Sequence, residues 1–321
     1  MPEHTGQTAV PALEAPQRQE AVWRHFDGGR DAVAGWVVGD EERIILSIPV
    51  VRSVQPGGSM DLGLKGKRAV VTGGSRGIGR CCALGLAREG ARVCVAARTR
   101  TLLEEARADI DRVGGQGWAV ATDLTTPEGC RRVVEETVER WSGVDILVNC
   151  AGAARMADIL ELSTEVIDEG LGLKSYGYLR MAQLVIPHMK RNRWGRIVNI
   201  AGGAGTSPTR ANIPLSLSNI AVLNMTRALS DAVSGDGILV NTICPGLTKT
   251  QRARDLQRDK AADEGRSVDE ILAEIGRRLP AGRLAEPEEI ANVVVFLASE
   301  PCSYLFGSSL YMDGGDRRGI P

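Results

Sequence analysis

Several absences narrow the class of this protein before any motif is considered. There is no excess of charge: 39 basic residues stand against 40 acidic ones, the net charge is −1, and the two signs are well mixed. That leaves no electrostatic footprint for nucleic acid or for an anionic membrane surface. There is no apolar run near the roughly 20 residues needed to cross a bilayer. Residues 1–19 have no apolar core of the kind a secretory signal carries. There is no cysteine framework either. Cys81, Cys82, Cys94, Cys130, Cys150, Cys244 and Cys302 fall mostly inside apolar runs, with neither zinc-ligand spacing nor a disulfide pattern. They read as small buried hydrophobes in a reducing compartment. No internal repeat is present. These absences predict a soluble cytoplasmic protein with no metal, no nucleic-acid partner and no membrane.

What is present is a chain of 321 residues, 43% hydrophobic and 25% charged, long enough for one large buried core. Residues 1–60 read as an N-terminal extension and 61–321 as the main domain. Residues 1–19 are rich in Pro, Gln, Glu and Thr without periodicity, which predicts disorder. From about 20 to 55 the chain turns semi-apolar. Trp36–Val38 and Ile44–Val51 suggest two strands around the turn at Gly39–Glu42, and Pro49 would confine the second to a sheet edge. So short an arm cannot make its own core and is expected to pack on the main domain or on a neighbouring subunit. Pro56-Gly57-Gly58-Ser59 reads as a linker.

Beyond the linker, short apolar runs alternate with amphipathic stretches. The runs are Arg68–Thr72, Arg92–Ala96, Trp118–Thr122, Ile146–Asn149, Arg196–Ile200, Ile238–Ile243 and Ser309–Met312, with helical patterns such as Glu128–Trp141 and Pro287–Ala298 between them. Continuous apolar strands separated by helices indicate βαβ units and a parallel sheet buried on both faces. The fold class is therefore α/β, a single doubly wound Rossmann-type parallel sheet.

The first strand runs into Thr72-Gly73-Gly74-Ser75-Arg76-Gly77-Ile78-Gly79 and then into a helix. Glycines here permit a tight turn and close backbone approach, so that a pyrophosphate can rest at the positive helix N-terminus. The strand–loop–helix context raises an otherwise weak signal. Gly73, Ser75, Arg76, Gly77, Ile78 and Gly79 are thus candidate cofactor-binding residues. The second strand ends Ala96-Ala97-Arg98, with no acid to grip a ribose diol. Arg98 and Arg76 carry forks suited to a 2′-phosphate instead.

The TGxxxGIG spacing resembles that of the classical short-chain dehydrogenases/reductases, and four further segments resemble the same family in the same order. The resemblance places Asp123, with Leu124 beside it, at the adenine, and Asn149, Ala151 and Gly152 of Asn149-Cys150-Ala151-Gly152 along the cofactor cleft. Pro245, Gly246 and Thr248 fall in the loop that borders the nicotinamide. Residues 283–299 and Met312-Asp313-Gly314-Gly315 match the C-terminal signature. The resemblance implies a nicotinamide-dependent reduction of a carbonyl or oxidation of an alcohol, and with Arg98 and Arg76 in place it favours NADP(H) over NAD(H).

The family's proton-handling residues are another matter. Aligning Val198–Gly205 with the segment that carries the catalytic Ser puts Gly202 at that Ser. Aligning Asn219–Leu229 with the helix that carries the Lys puts Asn219 at the Lys and Leu215 at the Tyr. Gly172 takes the position of the catalytic Asn, to within about two residues. No Tyr in the chain has a Lys four residues after it. The remaining catalytic candidates are weak: Asn219, whose amide can hold a ribose but does not titrate, and Ser218 beside it. Thr206, Ser207, Asn212, Ser216, Tyr176 and Tyr178 are weaker still. The charged stretch from Thr250 to Arg278, helical over Gln251–Asp263 and Ser267–Arg278, takes the place of the family's substrate lid. Its many Arg and Asp residues read mostly as a solvated face, with an anionic substrate meeting Arg252, Arg254 or Arg258 as the lesser alternative.

Three functions stay open on the sequence. The first is an NADP(H)-dependent oxidoreductase with a non-standard proton relay. The second is a non-catalytic subunit that pairs with an active homologue. The third is an isomerase or lyase on the same fold. The small, apolar residues at 172, 202 and 215 predict a bulky or apolar small-molecule substrate. The family's habit predicts a homo-dimer or tetramer, or a hetero-oligomer in the second case.

Overall fold

Burial on both faces explains why the strands read as unbroken apolar runs. In β1 (Arg68–Thr72), Ala69 and Val71 enter one core while Val70 enters the other. Successive strand residues point to opposite faces, so a sheet covered on both sides needs apolar residues at every position. The computed structural model describes residues 60–152, 159–160, 162–210 and 212–318. The expected arm strands Trp36–Val38 and Ile44–Val51, and the linker after them, lie outside the described residues.

The chain runs β1, α1 (Gly77–Arg88), β2 (Arg92–Ala97), α2 (Arg100–Arg112), β3 (Gln116–Ala121), α3 (Pro127–Trp141) and β4 (Ile146–Asn149). Next come α4 (Thr164–Gly170), a π-helical turn (Leu171–Tyr176), α5 (Gly177–Asn192), β5 (Gly195–Ile200), α6 (Ile213–Val233) and β6 (Ile238–Pro245). The short α7 (Gln251–Leu256) and α8 (Arg258–Asp263), then α9 (Val268–Arg278), α10 (Pro287–Leu297) and β7 (Ser309–Met312), complete it. Helices α1, α2 and α10 pack on one face around Leu86, Leu103 and Val294. The other face is covered mainly by α3 and α5, around Val133, Met181 and Val185.

The seven strands lie in the order β3-β2-β1-β4-β5-β6-β7 and every pairing is parallel. The chain therefore walks outward from β1 to β3, then returns to β4 and walks the other way. The strand order reverses between β1 and β4, and a crevice opens there at the carboxyl ends of the strands, where ligands bind in such sheets. The opposite end is closed by charge. Arg68 donates from Nε and Nη2 to the Asp145 carboxylate at 2.8 and 2.6 Å, and its backbone N–H adds a third bond at 2.9 Å.

The structure shifts some expected boundaries. β3 begins two residues earlier than the apolar run suggests, since Gln116 and Gly117 pair in register with Arg92 and Val93. Helix α1, expected over about Arg80–Glu89, begins at Gly77, where glycine spacing hides the helical pattern. The helix expected over 251–263 is split at Gln257 into α7 and α8.

Candidate active site

The crevice is held by a threonine. Thr72, the last residue of β1, accepts at Oγ1 from the N–H groups of Cys150 and Ala151 at 3.0 and 3.2 Å. This fixes the segment after β4 against the glycine turn after β1. Gly73 has φ +67°, and a Cβ there would lie 2.8 Å from Ala151 Cα. A Cβ on Gly79 would lie 2.3 Å from the Gly73 carbonyl oxygen. Gly77 also takes positive φ, at +55°. Each position therefore demands glycine for a stated steric reason. Arg76, the residue before α1, supplies no side-chain cap, and the first turn of the helix has no acid. The leading N–H groups keep their partial positive charge for an anion.

The other predicted cofactor residues fall around this turn with different surroundings. Ser75 is buried, and Ile78 reaches into the adjoining cavity. Arg76 and Arg98 are both exposed, the latter just past the end of β2. Asp123 is exposed, and its carboxylate accepts from the Thr125 N–H and hydroxyl, each at 2.9 Å, so it shapes its own turn. Leu124 is buried behind it. Asn149 is fully buried and its amide is turned into the sheet toward Asn199. Ala151 is buried and Gly152 is exposed at the cavity edge. Pro245, Gly246 and Thr248 border the same cavity from the end of β6.

That cavity has a volume of about 520 Å³. Gly202, Leu215, Ser218 and Asn219 all line it. A Cβ on Gly202 would lie 3.0 Å from Asn219 Nδ2, so these two positions are neighbours. Ser218 is fully buried and its hydroxyl donates to the Leu215 carbonyl at 3.0 Å. Asn219 is 1% exposed, and its Oδ1 has no hydrogen-bond partner among the described residues. Ser207 and Asn212 also reach the lining, whereas Thr206 accepts from the Tyr311 hydroxyl at 3.1 Å. Tyr178 is buried with its hydroxyl on the Ile200 carbonyl, and Tyr176 is exposed. Of the three lid arginines, Arg252 lines the cavity. Arg254 pairs with Asp269 and Arg258 with Asp255.

Gly172 does not line the cavity; Lys174, two residues later, does. The π-helical turn widens the helix at this point and carries the lysine inward. Lys174 is 8% exposed, and Nζ donates to the Ala201 carbonyl at 2.9 Å. Burial pulls its pKa down to about 8, against an opposing pull from Cys150. Burial pushes the thiols of Cys150 and Cys244 up to about 12 and about 11, so neither is a counter-ion at neutral pH. Sequence reasoning passed over Lys174. The available signal was a lysine between Leu173 and the apolar stretch of α5, close to a position already singled out.

Residues 73–316 match the protein family described as enoyl-(acyl carrier protein) reductase. The chain is 34% identical over 254 residues to the 3-oxoacyl-(acyl-carrier-protein) reductase FabG of Vibrio cholerae serotype O1, covering 79% of this chain and 98% of that one. It is similar to the crystal structure of L-sorbose reductase from Gluconobacter frateurii in complex with NADPH and L-sorbose. The TM-score there is 0.79 at 34% identity, covering 81% of this chain and all of that one. An actinorhodin polyketide ketoreductase variant with NADPH gives a TM-score of 0.75 at 30% identity, covering 78% and 97% of the two chains. Among the described residues no helix is long and apolar enough to cross a membrane. Likeness of this extent, on a sheet whose order reverses beside a glycine turn, makes the chain a member of the short-chain dehydrogenase/reductase family.

Proposed function

We propose that this chain is an NADP(H)-dependent oxidoreductase acting on a carbonyl or alcohol substrate, with a proton relay other than the Tyr–Lys pair that the family resemblance leads one to expect. The observation that carries the reading is the glycine turn, packed so closely on Ala151 and on itself that side chains are shut out, and continuous through Ile78 and Gly152 with the cavity. A site with no ligand to cradle has no need of that shape. The orphaned Asn219 Oδ1 fits too, since a buried acceptor without a partner is costly and a ribose hydroxyl would satisfy it. NADPH in the sorbose reductase and polyketide ketoreductase structures supports the phosphate form of the cofactor, as do Arg76 and Arg98.

In this reading the N–H groups at the start of α1 hold the pyrophosphate, and Arg76 and Arg98 hold the 2′-phosphate. A bound reduced nicotinamide supplies hydride. Leu215, Leu247 and Ile78 keep water from the reacting centre, while Ala201 and Gly202 form the wall that the substrate oxygen faces. Holding both reactants in one cavity supplies the proximity term, which survives loss of a proton donor. The test is a titration of the full chain with NADPH and NADH, followed by nicotinamide fluorescence. Saturable binding that favours NADPH is expected; binding of neither overturns the reading.

A second reading rests on Gly202, Leu215 and Asn219, which offer the cavity no titrating group at the positions where the family resemblance expects one. It makes the chain a non-catalytic subunit of an active homologue. A homo-oligomer with turnover of its own removes it.

A further inference from the structure

We propose that Lys174 is the proton-exchanging residue of this cavity, taking the place of the missing phenol. The inference rests on the oxidoreductase reading above and assigns the step that the reading leaves vacant.

Lys174 enters the cavity from the π-helical turn, while Leu215 and Asn219 enter from α6. The Ala201–Gly202 segment meets Lys174 through Ala201 and Asn219 through Gly202. Lys174 Nζ sits on the carbonyl of Ala201, and Asn219 Nδ2 lies 3.0 Å from where a Cβ of residue 202 would be. The lysine thus flanks the same stretch of backbone as the position expected to steady the substrate oxygen. Gly202 has no side chain, so nothing at that residue stands between the oxygen and the ammonium.

Valence comes next. An ammonium carries three donors, and the hydrogen bond to Ala201 occupies one. Among the described residues Lys174 forms no ion pair with a carboxylate. A buried cation without a counter-ion is expensive and is rarely kept without a use. The titratable and charged groups facing it are Cys150 after β4, Cys244 on β6 and Arg252 on α7. The two thiols stay neutral at pH 7, and Arg252 disfavours the ammonium further. Burial is the largest influence on Nζ and outweighs the opposing pull of the two cysteines, so the proton is held more loosely than on an ordinary lysine, which suits a general acid near neutral pH.

The step balances simply. The substrate carbonyl carbon accepts hydride from a reduced nicotinamide, and its oxygen accepts a proton from Lys174 Nζ. The products are the alcohol, the oxidised nicotinamide and a neutral amine, which regains its proton from water. In the oxidative direction the neutral amine takes the alcohol proton.

The test has a cofactor-free arm and a kinetic arm. The chain has six lysines, so ¹³Cε-lysine labelling of the full protein gives few resonances, and the one missing in Lys174→Met is assigned. That resonance is expected to titrate near pH 8; titration above pH 10 overturns the proposal whatever the activity. In the kinetic arm, a 1,2-diketone and a β-keto ester are reduced with NADPH. Lys174→Met is expected to lower kcat by about 10²–10⁴-fold and to leave the NADPH Kd within about threefold. The wild-type rate is expected to fall as pH rises through about 8, and this limb disappears in Lys174→Met and in Lys174→Arg, whose guanidinium does not release its proton. An unchanged kcat in Lys174→Met, or a cofactor-binding wild type that reduces neither ketone, overturns the assignment. Failure of the wild type to bind NADPH is read in the separate titration and removes the oxidoreductase reading itself.

Discussion

Asn149 Nδ2 donates to Asn199 Oδ1 at 2.9 Å, joining β4 to β5 through two fully buried side chains. The link continues from Asn199 Nδ2 to Thr226 Oγ1 at 2.9 Å, and from there to Thr242 Oγ1 at 2.6 Å. Helix α6, which carries Leu215 and Asn219, is thereby tied to the floor of the cavity. Buried polar groups are tolerated only while they keep partners. Asn199→Ala strands the Asn149 amide, at about 1–3 kcal/mol for the orphaned group, while the Thr226 hydroxyl keeps Thr242 as its partner. Thermal melting followed by circular dichroism is expected to show a drop of several degrees. A melt within 1 °C of wild type, on the order of 0.3 kcal/mol at most, would mean that the chain of bonds is not structural.

Gly79 separates the steric argument for the glycine turn from the general cost of changing a residue. A methyl group there meets the Gly73 carbonyl at 2.3 Å, backbone against backbone, so the turn and α1 must move apart. Gly79→Ala is expected to cost about 1–3 kcal/mol through overpacking and to abolish NADPH binding in the fluorescence titration. Gly172→Ala is the control, because a Cβ there meets nothing within 4 Å. That variant is expected to bind NADPH as wild type does and to melt no lower.

Arg98 and Arg76 test cofactor choice. If Arg98 holds a 2′-phosphate, Arg98→Ala loses a charge-assisted contact of about 1.5–3 kcal/mol, roughly 10- to 100-fold in the NADPH Kd. Affinity for NADH is expected to stay level, since it has no such phosphate. Equal losses for both cofactors would place the arginine elsewhere. Arg76→Ala is expected to behave similarly but less cleanly, because Arg76 also leads into α1.

The sheet was legible in the sequence because burial on both faces leaves continuous apolar runs. Arg68–Thr72, Ile146–Asn149 and Ser309–Met312 coincide with β1, β4 and β7 at both ends. Boundaries slipped where glycine hides the pattern, at Gly117 and Gly77. The glycine turn was legible for a different reason: close backbone approach admits one residue type, and the letter records it. Lys174 was not legible. Its place in the cavity depends on the wider π-helical turn, and nothing in a string of residues shows that one lysine of six points inward. The inward turn of Asn149 was hidden in the same way, since a buried and a ligand-facing amide are written with the same letter.

Asp145 makes stability depend on pH at the end of the sheet remote from the cavity. Burial alone would raise its pKa, but the Arg68 fork and the Arg68 backbone N–H outweigh that and hold it below the ordinary aspartate value. With the folded pKa depressed, the stabilisation is fully present above the unfolded value. It is lost as pH falls through the folded one. Acid unfolding is therefore expected to begin below the usual carboxylate range. Asp145→Asn leaves Arg68 without its counter-charge and is expected to cost about 3 kcal/mol at pH 7, while flattening the dependence between pH 5 and pH 3 in urea titrations. An Asp145→Asn variant that retains the full wild-type acid sensitivity would move the effect to another carboxylate.

Lys174 has the opposite sign, and this gives a measurement that does not involve turnover. Its folded pKa of about 8 lies below the ordinary lysine value, so the unfolded chain binds the proton more tightly than the native one. Stability then rises with pH from about 8 to about 10.4 and is at its low plateau at pH 7. A depression of about two units corresponds to roughly 3 kcal/mol of native-state cost at pH 7. Lys174→Met removes that cost and fills similar space, but it leaves the Ala201 carbonyl without its donor, which gives back about 1 kcal/mol. The variant is expected to be more stable than wild type by roughly 2 kcal/mol at pH 7, with the gap closing toward pH 10. Paired urea titrations at the two pH values measure this. If Lys174→Met is instead the less stable protein at pH 7, the lysine is a structural tether on Ala201. If it is the more stable one, the wild type carries a charged group in its cavity at the expense of its own fold, as functional groups commonly do.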